Sequence, residues 1–280
     1  MGNLVLAAKI THVPTIWMSH TIEKYKGLRT SALDGYEKLR QAAIAAKVDT
    51  FIVIDTHWIV NQGFHLNAKP RHEGNFISHE LPHILSDLAY DYHGNPELGA
   101  LIVDEVRADG HRALAHDHPD LGVEYGTLLP MYFINKGVNA RVLPIAANQF
   151  STIDENRQFG AAIRRAIDKS EGNVALFASG SLSHAFWENS KSVEGVNKVN
   201  GAFNEQTDHH VLELWENGDW SAFLDMLPDY AVRCVGECGM VDTAMLFGAL
   251  GWKDYGGSIT TMTPYFGSSG TGQVNITFSV

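Results

Sequence analysis

The sequence predicts an α/β fold in which helices flank a central, mostly parallel or mixed sheet, with the functional site at the strand ends. Three observations support this class. Short apolar runs rich in Val, Ile and Leu alternate with segments of helical spacing, 45% of the 280 residues are apolar, and no repeat, linker or low-complexity stretch divides the chain. We therefore expect a single domain that spans residues 1–280.

The first half of the chain begins with a strand, a helix and a second strand. Residues 3–10 and 50–56 are short apolar runs typical of buried strands. Between them, residues 31–47 place apolar side chains at helical spacing. Residues 58–95 are irregular and rich in His, with several Gly, Pro and Asn, which predicts a lid or a loop that lines a site. A helix with Pro in its first turn is predicted over residues 96–109.

The second half continues the alternation of strands and helices. Apolar runs predict further strands over residues 141–144, 174–178, 231–237 and 274–280. Helical spacing predicts helices over residues 154–169, 204–217, 219–227 and 239–250. The glycine-rich segment 267–272 precedes a strand rather than a helix, so it predicts a turn and not a phosphate-binding loop.

Composition and charge exclude several classes of function. The net charge of −11, with no basic cluster, argues against binding to nucleic acid or to a membrane surface, and it means that an anionic substrate needs locally placed cations. No apolar stretch approaches the ~20 residues that span a bilayer, and the N-terminus lacks signal-peptide features, so a cytoplasmic location is expected. Cys234 and Cys238 are too few and too close for a disulfide framework, and they predict buried free thiols.

Two of the predicted strands end in the same dipeptide, Thr-His. His12 follows the first strand, His57 follows the second, and the run over 231–237 ends in Glu237. Groups at the ends of parallel strands meet at one edge of a sheet. Two neutral imidazoles and one carboxylate on one face of a metal are the ligand set of non-haem Fe(II) oxygenases. The sequence therefore predicts a metal site at the strand ends, made by these residues and used by an oxygen-consuming enzyme.

Further candidate residues adjoin this set. Asp55 lies two residues before His57, where it can accept a hydrogen bond from a ligand imidazole or cap a nearby helix. His184 follows a strand and a Ser-Gly-Ser turn, and we expect an acid–base group beside the metal, with a helix cap as the structural alternative. His116 and His118 lie in an Asp- and His-rich loop, for which a surface loop is favoured over a second metal site.

The chain resembles the class III extradiol ring-cleavage dioxygenases, of the catalytic-subunit type, in motifs that follow one another in the expected order over nearly the whole chain. These motifs are Thr-His (11–12), Asp-Thr-His-Trp (55–58), Tyr-Asp-Tyr-His-Gly-Asn-Pro (90–96), Ser-Leu-Ser-His (181–184) and Gly-Glu-Cys-Gly-Met (236–240).

The resemblance implies Fe(II) on His12, His57 and Glu237, with Mn or Mg as alternatives, and His184 as the acid–base residue. It also implies that O2 cleaves a catecholic aromatic acid to a muconic-semialdehyde-type product, and that the chain assembles as a homo-oligomer.

The chain departs from the family pattern at one position. The family often has Asp-His-Gly before a Pro in the middle of the chain, whereas this sequence has Glu124-Tyr125-Gly126. Tyr125 thus replaces a histidine, and a tyrosine donates a hydrogen bond but is a poor base near neutrality. Three residues are candidates for the missing role: Tyr125 itself, His116 and His118.

Two other classes of function fit parts of this pattern. Two histidines, a carboxylate and a bound water also describe a metal-dependent hydrolase, although no second carboxylate base is evident. A non-catalytic subunit of the same fold is the other alternative, against which the intact His12, His57, His184 and Glu237 argue. Oxygen consumption and Fe(II) binding distinguish these alternatives from a dioxygenase.

Overall fold

The secondary structure of all 280 residues is described by a computed structural model. The strands are β1 (Asn3–Ile10), β2 (Thr50–Val60), β3 (Phe64–Asn67), β4 (Arg71–Phe76), β5 (Leu88–His93), β6 (Ala113–His116), β7 (Arg141–Asn148), β8 (Asn173–Ser179), β9 (Ile259–Ser268) and β10 (Thr271–Phe278). The helices are α1 (Pro14–Thr21), α2 (Thr30–Ala45), α3 (Pro96–Ala108), α4 (Tyr125–Ile134), α5 (Ile153–Lys169), α6 (Ala202–Asn217), α7 (Trp220–Arg233) and α8 (Val241–Leu250).

An eight-stranded mixed sheet forms the centre of the fold, in the order β6-β3-β7-β2-β8-β1-β10-β9. The four middle strands β7, β2, β8 and β1 are parallel, whereas β10 runs antiparallel to β1 and the edge strand β9 runs antiparallel to β10. The carboxyl ends of β2, β8 and β1 therefore lie side by side. The predicted fold class, α/β with a mixed sheet flanked by helices, is confirmed.

The sheet is buried on both faces, which explains why its central strands are almost continuously apolar. In β2, Phe51 and Val53 pack into a core with α2 and α4, whereas Ile52 and Ile54 pack into a second core with α3, α5 and α8. All four side chains are fully buried. Burial of each contributes roughly 1.5–3 kcal/mol to the free energy of unfolding.

The segment 58–95 is more regular than the sequence predicts. It contains the end of β2, then β3, and then the separate antiparallel hairpin of β4 and β5. The sequence pattern did not predict the hairpin, because β4 has a single fully buried side chain and that side chain is His72 rather than an apolar residue. The predicted lid or site-lining loop lies between the two strands, at residues 77–87.

The predicted strand over residues 231–237 is wrong. Helix α7 extends to Arg233, through Pro228, and places Phe223, Leu227 and Tyr230 in the core at helical spacing. The apolar residues after Pro228 continue this helix instead of starting a new strand.

None of the helices combines the length and the apolar composition that crossing a membrane requires.

A buried histidine ties the hairpin to the sheet. His72 is completely buried, and its Nε2 donates to the carbonyl of Val142 on β7 at 3.1 Å, whereas its Nδ1 has no partner. Burial, together with the charge of Lys69, lowers the pKa of His72 to about 4. The folded protein thus resists taking up a proton that the unfolded chain accepts near pH 6.5.

We predict that His72 makes the protein lose stability in mild acid. Its contribution is complete above the unfolded pKa and is lost as the pH falls from about 6.5 towards 4, amounting to about 2 kcal/mol at pH 5. His72→Gln keeps an N–H donor but does not titrate, so the difference in unfolding free energy between pH 7 and pH 5 should shrink by about that amount. Denaturant titrations measure it, with the exposed His93→Gln as control. An unchanged difference in His72→Gln contradicts the assignment.

Candidate metal centre and active site

Two histidines meet at the edge where the parallel strands end. His12 lies two residues beyond the end of β1, and His57 lies in β2 where its register with β7 shifts. Although β8 separates these strands, the two imidazole rings are edge to face with their centroids 4.8 Å apart. The convergence that the Thr-His dipeptides predicted is present.

The third member, Glu237, comes from a turn between two helices and not from a strand end. The turn holds Val235, Cys238 and Met240 at positive φ values of 50°, 46° and 60°. Such a backbone costs of order 1–3 kcal/mol for each non-glycine residue, so surrounding contacts must hold it. One of these contacts is the hydrogen bond from Glu237 N to Leu182 O at 3.3 Å, and another is the buried ion pair of Lys9 with Asp242 at the start of α8.

The donor atoms of the three residues are close enough to share one ion. Glu237 Oε1 lies 3.3 Å from His12 Nε2 and 3.7 Å from His57 Nε2. One ligand atom from each residue lies within 4.8 Å of the others. Glu237 is only 4% exposed. The donor set and its spacing fit a metal ion with two imidazoles and one carboxylate.

The hydrogen bonds of the His12 and His57 imidazoles fix the tautomers that metal binding requires. Ser179 Oγ donates its one proton to Gly126 O, so it can only accept from His12 Nδ1, 3.0 Å away. His57 Nδ1 faces the carboxylate of Glu80 at 3.5 Å. Both Nδ1 atoms therefore carry the proton, which leaves the Nε2 lone pairs directed at the position of the ion.

The carboxylate of Glu237 is held in its charged form. Thr56 Oγ1 donates to one oxygen, and the backbone N and the hydroxyl of Ser181 donate to the other. Burial by itself raises the pKa of this group, but the adjacent imidazoles of His184 and His12 outweigh it and hold the pKa well below its usual range. An ionised carboxylate is what a divalent cation requires.

His184 lies beside this carboxylate with one nitrogen free. Its Nδ1 is 2.7 Å from Ser181 Oγ and 3.2 Å from Glu237 Oε2. Because Ser181 gives its hydroxyl proton to the carboxylate, His184 Nδ1 must be the donor to Ser181. The unprotonated Nε2 is then available as a base.

A cavity of about 250 Å³ opens over these groups. Its apolar walls come from Val13, Pro14, Leu81, Ile84 and Phe186. Its polar lining residues are His12, Thr15, His57, Glu80, Tyr125, Ser181, His184, Ser268, Ser269 and Thr271. For comparison, a dry cavity of about 150 Å³ is large enough to hold benzene.

Tyr125 forms a wall of the site. Its ring packs against His57 with the centroids 3.9 Å apart, and its hydroxyl donates to Glu80 Oε2 at 3.2 Å. Burial, reinforced by the nearby carboxylate of Glu80, raises the pKa of Tyr125 far above its ordinary value. The phenol stays protonated, so it serves as a hydrogen-bond donor and not as a base.

Asp55 acts on the backbone of a histidine, not on its ring. Its carboxylate accepts from His57 N at 2.9 Å and from Thr127 Oγ1 at 2.7 Å. The expected hydrogen bond from an imidazole is absent. Asp55 instead joins the end of β2 to the first turn of α4, which carries Tyr125.

His116 and His118, the two histidines that the sequence offered as substitutes for the family histidine, lie outside the site. His116 shares a hydrogen bond of 2.9 Å with His65, and His118 accepts from the backbone N of Asp120 at 3.2 Å. Neither lines the cavity. Glu80, in contrast, was not singled out from the sequence, and its only signal was its position in the predicted site-lining loop.

Comparisons with known proteins show the family to which the chain belongs. The family model described as the catalytic LigB subunit of aromatic ring-opening dioxygenase matches residues 6–279. The 3,4-dihydroxyphenylacetate 2,3-dioxygenase of Escherichia coli is 44% identical over 269 residues, which cover 95% of this chain and 97% of that protein. A protein of Clostridium acetobutylicum is 27% identical over 236 residues, which cover 80% of this chain and 47% of that protein.

A solved structure shares the fold. The crystal structure of an uncharacterized protein from Escherichia coli K12 has a TM-score of 0.63 to this chain, covers 98% of it and 99% of that chain, and is 12% identical in sequence. The chain belongs to the family of aromatic ring-opening dioxygenases, in its catalytic-subunit branch. It is a class III extradiol dioxygenase, and the resemblance that its motifs indicated is confirmed.

We predict that the site does not tolerate a methyl group at Gly126. A Cβ there would lie 2.1 Å from Asp55 Oδ1, so the carboxylate that holds His57 N would have to move. Gly126→Ala should lower the free energy of unfolding by about 1–3 kcal/mol. Gly122→Ala is the control, because a Cβ at Gly122 meets no atom within 4 Å, and it should change stability by less than about 0.5 kcal/mol. Equal stability of the two variants would show that the packing against Asp55 does not matter.

Proposed function

We propose that this chain opens the ring of 3,4-dihydroxyphenylacetate with O2 at a mononuclear Fe(II) ion held by His12, His57 and Glu237. The observation that carries the proposal is the convergence of two imidazole lone pairs and one ionised carboxylate on a single point beside the cavity. Mn and Mg accept similar donors and are the alternative metals. The substrate is taken from the Escherichia coli relative, which is 44% identical to this chain.

Iron held by His12, His57 and Glu237 would bind the catechol and O2, lower the pKa of the catechol hydroxyls, and let electrons pass from the ring to oxygen. His184 removes a proton from a catechol hydroxyl through its free Nε2 and returns it to a departing oxygen later in the reaction. Ser181 fixes the tautomer that this role requires.

The remaining groups orient the reactants. Glu80 holds the ring of His57 by its Nδ1, and Tyr125 holds both by packing on the ring and donating to the carboxylate. We propose that Tyr125 takes the place of the family histidine as a donor and positioning group, while His184 alone handles protons. The apolar side chains of Leu81, Ile84 and Phe186 line the cavity and can pack against an aromatic ring.

Oxygen uptake tests the function. Protein loaded anaerobically with Fe(II) is mixed with 3,4-dihydroxyphenylacetate, and O2 consumption is followed together with absorbance. The proposal predicts equimolar consumption of O2 and substrate with formation of a yellow ring-fission product. Uptake with another catechol but not with this one would replace the proposed substrate. No uptake with any catechol, despite bound iron, would overturn the proposal and favour a hydrolase or a non-catalytic subunit.

Homo-oligomeric assembly stays a prediction of the family resemblance.

We predict that His184→Ala retains iron but loses at least about 100-fold in turnover, because a positioned acid–base group contributes factors of this size. Iron content by elemental analysis and kcat from initial rates of O2 uptake check both parts. His118→Ala is the matched control, since His118 lies outside the cavity and should leave both values unchanged. Turnover near that of the unmodified protein in His184→Ala would remove this residue from the mechanism.

A further inference from the structure

A buried guanidinium without a carboxylate lies behind one wall of the cavity. Arg29 is only 5% exposed, and no carboxylate oxygen lies within 4.0 Å of it. The other buried cations are placed differently. Lys9 is paired with Asp242, and Lys69 donates to the carbonyl of Pro119, away from the cavity.

The partners of Arg29 are all neutral. Its Nε donates to Thr15 Oγ1 at 2.8 Å, and its Nη2 donates to Val196 O at 2.8 Å and to Ser268 Oγ at 3.2 Å. Its Cζ lies 5.2 Å from the centre of the Phe266 ring. Burial lowers the pKa of Arg29 to about 10, so the group still carries its charge near neutral pH. A buried charge without a counter-ion is costly, and an anion nearby would remove that cost.

Two of these partners face the cavity. Thr15 and Ser268 both line it, and their hydroxyl oxygens are 3.0 Å apart. Both hydroxyls accept from Arg29, and only one of their two protons is used in the bond between them. The second proton remains for a group inside the cavity. Because the hydroxyls accept from a cation, they are polarised towards donation.

We propose that Thr15 and Ser268, backed by the charge of Arg29, form the subsite that binds the carboxylate of the aromatic acid and so orients its catechol towards the metal. This inference rests on the proposed function. The charges of the surroundings favour it, because the chain has a net charge of −11 and the cavity is lined by the carboxylate of Glu80. An anionic substituent is therefore repelled from the rest of the cavity and attracted to this wall.

Paired substrates that differ in charge test the subsite. The measured quantity is the ratio of kcat/KM for 3,4-dihydroxyphenylacetate to kcat/KM for its neutral amide. In Arg29→Met this ratio should decrease by a factor of about 10 to 100, mainly because the KM of the acid rises. The same ratio should fall about three- to tenfold in Thr15→Val and in Ser268→Ala. Arg164→Met, at a partly exposed arginine of α5 that lies outside the cavity, is the control and should leave the ratio unchanged. An unchanged ratio in the folded variants at Thr15 and Ser268 would overturn the inference, even if Arg29→Met fails to fold.

A binding measurement separates this inference from the proposed function. Phenylacetate and phenylacetamide lack the catechol, so calorimetric titration of either ligand into the metal-free protein reports on the subsite without any reaction. The unmodified protein should bind the acid more tightly than the amide, and Thr15→Val should reduce that preference. Equal binding of the two ligands overturns the subsite and leaves ring opening intact. Absence of O2 uptake together with preferred binding of the acid overturns the function and leaves the subsite.

Discussion

The buried carboxylate of Glu237 is the group around which the other parts of the site are arranged. His12, His57 and His184 all approach its oxygens to between 3.2 and 3.7 Å. This carboxylate is the one partner that all three imidazoles share, and a buried carboxylate that lost these neighbours would be costly. The strained turn that carries Glu237 persists because these contacts, and the ion pair of Lys9 below them, hold it in place.

Hydroxyl groups do most of the fine positioning. Each serine beside a histidine gives its single proton to an oxygen, Ser179 to Gly126 O and Ser181 to Glu237, and must therefore accept from the imidazole. The protonation of each ring thus follows from simple counting of donors and acceptors. The same count on Thr15 and Ser268 leaves one proton for the cavity, so a single rule accounts for the metal face, the base and the proposed carboxylate subsite.

Much of the fold and the centre of the site could be predicted from the sequence, for a physical reason. His12 follows one buried parallel strand and His57 lies near the end of another, and the carboxyl ends of such strands lie at one edge of the sheet. The choice of Glu237 also agreed with the cluster that the structure shows, although the element carrying it was misidentified because Pro228 does not end α7. Arg29 gave no local signal, and the only signal for Glu80 was its position in the predicted site-lining loop. Arg29 lies in the irregular chain before α2, and Glu80 lies in the irregular chain after β4. Only the tertiary fold brings these two residues to the cavity.

The most direct test of the account is to locate iron in crystals of the protein loaded with Fe(II) under anaerobic conditions. Anomalous diffraction at the iron edge should give one dominant peak within bonding distance of His12 Nε2, His57 Nε2 and Glu237 Oε1. A peak that lies beyond bonding distance of Glu237, or one that lies instead at the hydrogen-bonded pair His65 and His116, would contradict the assignment of the metal centre.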